Sequence, residues 1–297
     1  MGAKAAFIGL GIMGYPMAGH LQKAGWDVTV YNRTGSRAED WAREYGGHTA
    51  KSPRAAVHGA ALVFACVGND DDVRDIAIGT EGAFAGMGKD SVFIDHTTAS
   101  ASLARELAER AGGQDIGFVD APVSGGQAGA ENGQLTIMAG GEQKAYDAAR
   151  PAMEAYAKKV KLMGPAGAGQ LTKMVNQLCI AGVVQGLAEG LHFAKAAGLD
   201  PMEVVDVISK GAAQSWQMDN RAETMNRGEF EFGFAVNWMR KDLAICLDEA
   251  RNNGAHLPLG ALVDQFYSEV QAMGGGRWDT SSLIARLEDR RKDGGRE

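Results

Sequence analysis

Near its start the chain carries Ala5-Ala6-Phe7-Ile8-Gly9-Leu10-Gly11-Ile12-Met13-Gly14, a short apolar run that ends in three closely spaced glycines. This G-x-G-x-x-G spacing lies between a strand-like segment and a helix-like segment, Met13 to Ala24. In such a unit the first glycine permits a tight turn, the second lets the backbone approach a pyrophosphate, and the third lets the helix pack on its strand. The helix also offers N–H groups and its positive end to phosphates. The stretch therefore predicts a dinucleotide site whose contacts are Gly9, Leu10, Gly11, Ile12, Met13 and Gly14.

The next predicted strand indicates which dinucleotide is bound. Trp26 to Tyr31 is rich in β-branched and aromatic residues, and Asn32-Arg33-Thr34 follows it. An NAD-binding unit usually places an Asp or Glu at this point, where it binds the adenosine ribose. This chain instead has Arg33, whose planar donors suit a 2′-phosphate, and Asn32 and Thr34 add neutral polar contacts. We therefore expect a preference for NADP(H), with NAD(H) possible; the alternative is that Arg33 is an ordinary surface arginine.

The composition argues against several classes of protein. A chain of 297 residues, 45% hydrophobic and 23% charged, is long enough for two globular domains. Its formal charge of −7 argues against general binding to nucleic acid or to a membrane surface. Cys66, Cys179 and Cys246 lack metal-ligand spacing, so we expect no metal site and predict buried thiols in a reducing compartment. Because neither a signal segment nor a long apolar span is evident, the expected location is the cytoplasm.

Strand and helix signals alternate through the first half of the chain. Apolar strand-like runs cover 62–67, 91–95, 117–120 and 135–139, and residues 100–112 are helix-like. This alternation predicts an α/β fold, with a Rossmann-type, doubly wound sheet and extra strands at one edge, over residues 1–164. Helical signals dominate afterwards and predict an all-helical domain over 165–297. A helix near 168–197 is expected to join the two domains, and the charged tail 286–297 is expected to fray.

Four segments resemble the β-hydroxyacid dehydrogenase family in their order and approximate spacing. They are Phe7-Ile8-Gly9-Leu10-Gly11-Ile12-Met13-Gly14, Asp120-Ala121-Pro122-Val123-Ser124-Gly125-Gly126 with Gly129-Ala130 and Gly133, Gly167-Ala168-Gly169-Gln170-Leu171-Thr172-Lys173-Met174-Val175-Asn176, and Lys241-Asp242-Leu243. The family includes 3-hydroxyisobutyrate dehydrogenases, tartronate semialdehyde reductases and glyoxylate/succinic semialdehyde reductases. The resemblance covers nearly the whole chain. It implies an oxidoreductase that transfers a hydride between NADP(H) and a small 3-hydroxy acid or its semialdehyde.

The resemblance also implies the catalytic residues. Oxidation of a hydroxy acid needs a group that takes the hydroxyl proton, and Lys173 matches the family's catalytic lysine. A lysine in a partly dry cleft can have a lowered pKa and act as general acid or base. Asn176, three residues later on the same helical face, is expected to bind the substrate or hold Lys173. The alternative is a solvated lysine on an amphipathic helix.

One position departs from the family pattern. The family usually has a second asparagine after Asn176, whereas this chain has Gln177. Consecutive helical residues point about 100° apart. The change therefore need not touch the reacting centre, although it alters the hydrogen bonds available there.

The remaining site residues follow predicted strands or lie in the helical half. The substrate carboxylate is expected to bind at Ser124, Gly125 and Gly126, as in the related enzymes, where bare backbone and a hydroxyl can donate hydrogen bonds. Lys241 resembles the family lysine that closes over the nicotinamide and the substrate. Thr98 is similarly matched to the family's contact with the nicotinamide ribose, with the neighbouring Thr97 as the alternative. Val67, Gly68 and Asn69 are expected to lie beneath the cofactor. His96 is expected to be structural.

Three other functions are compatible with parts of the pattern. An imine reductase shares this architecture, but many members of that class replace the catalytic lysine. A 6-phosphogluconate dehydrogenase usually needs a larger helical domain and more basic residues for phosphate. A non-catalytic dinucleotide-binding interaction module is disfavoured because Lys173, Asn176 and Lys241 are all present.

The expected partners are a small carboxylate substrate and further copies of the chain. Apolar side chains along the long predicted helix favour a homodimer or homotetramer, unless they are buried within one chain; they are Ile180, Val183, Val184 and Leu187. A second apolar set can form either a wall of the substrate site or part of the core; it comprises Trp216, Phe232 and Phe234.

Overall fold

The computed structural model describes the backbone of residues 2–293 and the side chains of residues 2–288. Contacts between residues divide the chain into two units, one ending at Lys173 and the other beginning at Met174. The division falls inside a continuous helix, α8 (Ala168–Ala196), whereas the boundary predicted at 164/165 precedes that helix.

The first unit is a nine-stranded, mainly parallel sheet with helices between its strands. The strands are β1 (Lys4–Ile8), β2 (Asp27–Tyr31), β3 (His48–Thr49), β4 (Leu62–Ala65), β5 (Val92–Asp95), β6 (Gly117–Asp120), β7 (Val123–Ser124), β8 (Leu135–Gly141) and β9 (Ala157–Gly164). Their order is β3-β2-β1-β4-β5-β6-β8-β7, and β9 pairs with β8. The predicted doubly wound sheet with extra strands at one edge is confirmed.

A proline divides the antiparallel edge of this sheet. β6 and β7 pair with β8 in one continuous register, and Pro122 lies in the gap between them. Proline has no N–H to donate, so it interrupts a ladder, although its carbonyl still accepts from Met138 N at 3.1 Å. The interruption ends β6 at Asp120 and leaves Ser124 at the end of β7.

Apolar side chains cover both faces of the parallel strands. Phe7 and Phe64 stack in the cluster on one face, with ring centroids 6.0 Å apart. On the other face Phe93 contacts Phe84 edge-on and Phe118 in a stacked arrangement. Burial on both faces explains why these strands are continuous apolar runs in the sequence.

The first unit's helices connect successive strands. They are α1 (Gly14–Lys23), α2 (Gly35–Tyr45), α3 (Pro53–Ala56), α4 (Asp70–Ile78), α5 (Ala101–Gly112), α6 (Gly126–Glu131) and α7 (Gln143–Met153). Three of them begin with a polar side chain that accepts a backbone N–H of the first turn: Ser52, Asn69 and Ser100.

The second unit is built from helices around one apolar core. After α8 come α9 (Pro201–Ile208), α10 (Trp216–Arg227), α11 (Val236–Asn253), α12 (Pro258–Ala272) and α13 (Leu283–Asp293). Asp200 accepts from the backbone N–H groups of Met202 and Glu203, and so caps α9. The prediction that the tail frays from residue 286 is wrong as far as Asp293, because α13 continues there; residues 294–297 lie outside the described part of the chain.

Several predictions about apolar and thiol side chains need correction. Of the residues proposed for subunit contacts, Val184 and Leu187 are buried within this chain, while Val183 is exposed. Cys246 is buried as predicted, but Cys66 is only partly buried and Cys179 is exposed. Within the described residues, no helix combines the length and hydropathy needed to cross a membrane.

Candidate functional site

The glycine turn between β1 and α1 has the geometry that a dinucleotide requires. Gly9 has a φ of +93°, and a Cβ there would overlap the Cys66 carbonyl oxygen. A Cβ on Gly14 would overlap the Gly9 carbonyl oxygen, so this glycine is needed for close packing of the helix. A Cβ on Gly11 would meet nothing within 4 Å. The open side of the turn at Gly11 therefore leaves room for a pyrophosphate.

The start of α1 suits an anion. Its N-cap residue, Met13, makes no side-chain capping hydrogen bond, and its first turn contains no acidic residue. A helix N-terminus carries partial positive charge and N–H groups that bind phosphate. These residues fit the pyrophosphate of a nicotinamide dinucleotide.

Asn32 supports this turn from the end of β2. Its Oδ1 accepts from Leu10 N at 2.9 Å, and its Nδ2 donates to Thr34 O at 3.0 Å. Its amide thus holds the glycine turn against the strand end, and the predicted cofactor contact of Asn32 stays a prediction. Asn32 is therefore a positioning residue for Leu10 in this structure.

Two arginines lie beside the turn. Arg33 extends into solvent, with 88% of its side chain exposed, and its Nη1 lies 3.4 Å from Asp72 Oδ1. The sequence interpretation missed Arg37, in the first turn of α2. Its Nε donates to Leu10 O, and its guanidinium lies 5.4 Å from the centre of the Tyr15 ring. Its position in the first turn of the helix that follows Arg33 is the signal that could have found it.

The loops after β4 and β5 are joined by Thr97. Its Oγ1 accepts from Val67 N at 3.0 Å, and its own N–H donates to Asp95 Oδ1 at 2.9 Å. Thr97 is buried, whereas Thr98 is partly exposed. Of the two threonines, Thr98 is therefore the one accessible to a ligand.

The predicted contact Asn69 has a local role as well. Its Oδ1 accepts from Asp72 N at 2.9 Å and caps α4. Gly68 and Asn69 are partly exposed at the start of that helix.

The proposed carboxylate loop connects β7 to α6. Gly125 and Gly126 have φ values of +132° and +60°, which L side chains rarely adopt, and a Cβ on Gly126 would meet nothing within 4 Å. His20 on α1 lies 3.0 Å from the carbonyl oxygens of both Ala130 and Glu131. Because both partners only accept, His20 Nε2 must carry the proton, and it holds the end of α6 against α1.

Asp120 fastens the beginning of α8 to the sheet. Its Oδ1 accepts from Gly167 N at 2.7 Å, and its Oδ2 accepts from Gln170 N at 2.9 Å. Burial raises the pKa of Asp120 to about 6, although these backbone hydrogen bonds favour the charged form and limit the rise. The carboxylate thus occupies the positive end of the helix.

Gln170 adds a second attachment in the same turn. Its Oε1 accepts from Ala99 N at 3.0 Å, and its Nε2 donates to Thr97 O at 2.7 Å. Lys173 follows one turn later and is only 7% exposed. The helix that carries Lys173 is thus fixed to the loop that carries Thr98.

Farther along α8, within the second unit, lies a buried polar cluster. Gln177 Nε2 donates to Asp242 Oδ2 at 2.6 Å, and Asn176 Nδ2 donates to Gln177 Oε1 at 2.8 Å. Lys241 Nζ lies 3.1 Å from Asp242 Oδ1 and 5.9 Å from the centre of the Trp238 ring. The sequence interpretation named Lys241 but assigned no contact to Gln177.

His96 is a structural residue in the core of the first unit. Its Nδ1 lies 2.6 Å from Ala121 O, so Nδ1 carries the proton and Nε2 accepts from Tyr156 OH at 2.8 Å. Burial lowers the pKa of His96 to about 4. The ring is therefore neutral near pH 7.

Sequence analysis left open whether three aromatic residues form a wall of the substrate site or part of the core. In the structure they lie at the surface of the second unit. Trp216, Phe232 and Phe234 are all exposed. The Arg221 guanidinium lies 4.9 Å from the centre of the Trp216 ring and 5.1 Å from that of Phe232. Among the described residues, no group of three or more His, Cys, Asp or Glu side chains could hold a metal ion.

Comparisons with known proteins agree with this architecture. A family model described as the NAD binding domain of 6-phosphogluconate dehydrogenase matches residues 4–164. A second, described as NAD-binding of NADP-dependent 3-hydroxyisobutyrate dehydrogenase, matches residues 167–287. The chain belongs to the β-hydroxyacid dehydrogenase family. It is an NAD(P)-dependent hydroxyacid dehydrogenase of the 3-hydroxyisobutyrate dehydrogenase type.

Individual members of the β-hydroxyacid dehydrogenase family are similar over almost their full length. An uncharacterized oxidoreductase of Shewanella frigidimarina is 65% identical, covering 97% of this chain and 99% of that protein. A probable 3-hydroxyisobutyrate dehydrogenase-like protein of Arabidopsis thaliana is 41% identical, covering 96% of this chain and 85% of that one. The solved structure of Mycobacterium tuberculosis 3-hydroxyisobutyrate dehydrogenase with L-serine has a TM-score of 0.87 and 32% identity, covering 97% of this chain and 99% of that one.

The two glycines of the turn provide a matched test. Gly14→Ala should lower the free energy of unfolding by about 1–3 kcal/mol, because its Cβ overlaps the Gly9 carbonyl oxygen. Gly11→Ala should leave stability near wild type but weaken NADPH binding, because its Cβ occupies the open side of the turn. Urea unfolding and a cofactor titration would measure both effects. Wild-type NADPH affinity in Gly11→Ala would contradict this assignment.

Burial of Asp95 predicts a pH dependence of stability. Burial raises the pKa of this carboxyl from 3.8 to about 7, so the folded state holds the proton more tightly than the unfolded state. Wild-type stability should therefore fall, relative to Asp95→Asn, as the pH rises from about 4 through 7. Urea unfolding of both proteins across this range gives the difference. Asp71→Asn, whose carboxylate is 97% exposed, keeps Asp95 and should follow wild type. A fall of wild type relative to Asp71→Asn as large as its fall relative to Asp95→Asn would contradict the explanation.

Proposed function

We propose that this dehydrogenase transfers a hydride between NADP(H) and a small 3-hydroxy acid or its semialdehyde, with Lys173 as general acid/base. The observation that carries the proposal is the burial of Lys173 on a helix anchored by Asp120 and Gln170. An amine that is held in place and largely shielded from water is a suitable general acid or base. Its position relative to the substrate is restricted, and few water molecules compete with the substrate for its hydrogen bonds.

The roles of the other residues follow from their chemistry. When bound, the nicotinamide accepts or supplies the hydride. Lys173 removes the proton from the substrate hydroxyl in oxidation and returns it to the carbonyl oxygen in reduction. Asn176, one turn later, hydrogen-bonds the reacting oxygen or Lys173. Ser124 and the backbone of Gly125 and Gly126 hold the substrate carboxylate, and Lys241 adds positive charge to the site.

The preference for NADP(H) is supported by the two arginines at the glycine turn. Arg33 is exposed and its ion pair with Asp72 is long, so a 2′-phosphate can replace that partner at small cost. Arg37 is held against the Leu10 carbonyl oxygen, which places a second cation beside the same strand end. One of the matching family models is described as that of an NADP-dependent enzyme.

The substrate class is supported by a relative. The 3-hydroxyisobutyrate dehydrogenase of M. tuberculosis was solved with L-serine, which is itself a 3-hydroxy acid. The exposed aromatic side chains of the second unit, Trp216, Phe232 and Phe234, are candidates for contacts with the substrate's apolar part.

Cofactor preference can be tested from both sides of the Arg33–Asp72 pair. Arg33→Ala should weaken NADPH binding about ten- to a hundredfold and leave NADH binding nearly unchanged, because an arginine–phosphate contact contributes roughly 1.5–3 kcal/mol. Asp72→Asn should tighten NADPH binding by up to about fivefold, since it removes a competing anion. Fluorescence titration gives the NADPH Kd of wild type and both variants, and the NADH Kd of wild type and Arg33→Ala.

The matched control for Asp72→Asn is Asp71→Asn, in the same turn, whose carboxylate pairs with Arg74 instead. It should change NADPH affinity less than Asp72→Asn does. Better catalytic efficiency with NADH than with NADPH in the wild type would overturn the preference itself.

The acid/base role predicts separate effects on turnover and binding. Lys173→Ala should lower kcat by about 10²–10⁴-fold while NADPH still binds, because the phosphates are held elsewhere. Lys173→Arg should also be poor, since arginine does not lose a proton near neutral pH. The measurements are kcat with methylmalonate semialdehyde, succinic semialdehyde, glyoxylate and a cyclic imine, and the NADPH Kd of each variant.

The outcomes distinguish the candidate functions. Near-normal turnover in Lys173→Ala would overturn the mechanism, and loss of NADPH binding in that variant would show that the lysine has a binding or structural role. Turnover of the cyclic imine alone would identify an imine reductase, and no turnover of any compound would favour a binding module.

A further inference from the structure

Gln177 connects Asn176 to Asp242 through two hydrogen bonds, the first partly buried and the second buried. Its Nε2 donates to Asp242 Oδ2 at 2.6 Å, and its Oε1 accepts from Asn176 Nδ2 at 2.8 Å. The other oxygen of Asp242 lies 3.1 Å from Lys241 Nζ. Gln177 and Asp242 are each only 2% exposed, so solvent cannot readily replace the hydrogen bond between them.

The chemistry of these groups sets the direction of each hydrogen bond. A carboxylate only accepts, so Gln177 must turn its NH₂ toward Asp242 and therefore its carbonyl oxygen toward Asn176. Asn176 must then give an N–H to Gln177, which turns its own carbonyl oxygen, Oδ1, to the other side of its amide. The negative charge of Asp242 thus determines the orientation of the Asn176 amide two side chains away.

We propose that Gln177 is a positioning residue for the dehydrogenase reaction, acting through Asn176. The inference rests on the proposed role of Lys173, which lies on the same face of α8 one turn before Asn176. In this orientation the Asn176 carbonyl oxygen can accept a hydrogen bond from the Lys173 ammonium or from the substrate hydroxyl. In the opposite orientation Asn176 would present its NH₂ group, which can only donate. Gln177 thereby favours the orientation of Asn176 that supports proton transfer between Lys173 and the substrate hydroxyl.

Among the described residues, titratable groups along this stretch of α8 come from two helices. Lys173 lies on α8 itself, and Asp242, Lys241 and Cys246 lie on α11, with Cys246 Sγ 3.7 Å from Met174 O. Asp242 is the one that bonds Gln177 directly. A change at residue 177 is therefore expected to alter the pH dependence of turnover as well as its size.

A glutamine elsewhere on α8 provides a matched control. Gln185 is 4% exposed, and its Nε2 donates to Glu189 Oε1 at 2.6 Å, the same distance as the bond from Gln177 to Asp242. Gln177→Met should lower kcat about ten- to a hundredfold and shift the pH profile of kcat, with little change in NADPH Kd. Gln185→Met should leave kcat and its pH profile near wild type. Equal effects of the two substitutions would overturn the proposal.

Gln177→Glu tests the same inference without removing the side chain. A protonated Glu can donate to Asp242 and accept from Asn176, as glutamine does, whereas an ionised Glu would repel Asp242. The ratio of its kcat to that of wild type should therefore rise about tenfold or more as the pH falls from about 8.5 to about 5.5. A constant ratio, with thermal unfolding showing a folded protein throughout, would overturn the proposal.

A measurement independent of turnover separates this inference from the proposed function. In protein ¹⁵N-labelled at asparagine, the Asn176 side-chain amide, identified with Asn176→Asp, should exchange with solvent more slowly in wild type and Gln185→Met than in Gln177→Met. If Lys173→Ala retains turnover, the proposed function fails, and unchanged Asn176 exchange in Gln177→Met would show that the orientation argument fails too. If Lys173→Ala is inactive and Gln177→Met behaves like wild type, only the positioning role is overturned.

Discussion

The position of Lys173 depends on a carboxylate buried beneath the start of its helix. Asp120 accepts from Gly167 N, just before α8, and from Gln170 N, in its first turn, where backbone N–H groups have no partner within the helix. The approach is close enough to exclude side chains: a Cβ on Gly140 would lie 2.6 Å from Asp120 Oδ1, and one on Gly169 would lie 2.6 Å from Asp120 O. The glycines here are therefore required by the contact between helix and sheet. With the first turn fixed, helical geometry sets the direction of the Lys173 side chain, one turn later.

Much of the first unit follows from local sequence because its strands are buried on both faces. Such strands must be apolar throughout, so 62–65 and 92–95 are recognisable without any partner. β9 was missed because its residues alternate in exposure and include several lysines, which is the pattern of an edge strand and resembles a surface loop. β7 was missed because two residues carry too little periodicity, and its strand character comes from pairing with β8.

The site was less predictable than the fold, because residue type does not determine which partner a polar side chain selects. Asn32 and Arg33 are adjacent, yet one bonds the backbone of the glycine turn and the other extends into solvent. Gln177 points away from Asn176 along the helix, as expected, but its long side chain returns to the Asn176 amide. That contact requires an acceptor at Asp242, sixty-five residues away, so no local pattern could reveal it.

The distribution of charge explains how an acidic chain can bind an anionic dinucleotide. The buried carboxylates Asp95 and Asp120 are satisfied by backbone N–H groups, and burial favours their protonation. Of the two arginines beside the glycine turn, Arg37 donates to the Leu10 carbonyl oxygen and Arg33 pairs with Asp72 at 3.4 Å. The cations and N–H groups available to an anion therefore lie at the turn itself, although the whole chain has a formal net charge of −7. Since screened surface charges act weakly beyond about 10 Å, affinity for an anionic cofactor is decided by these few neighbours and not by the total.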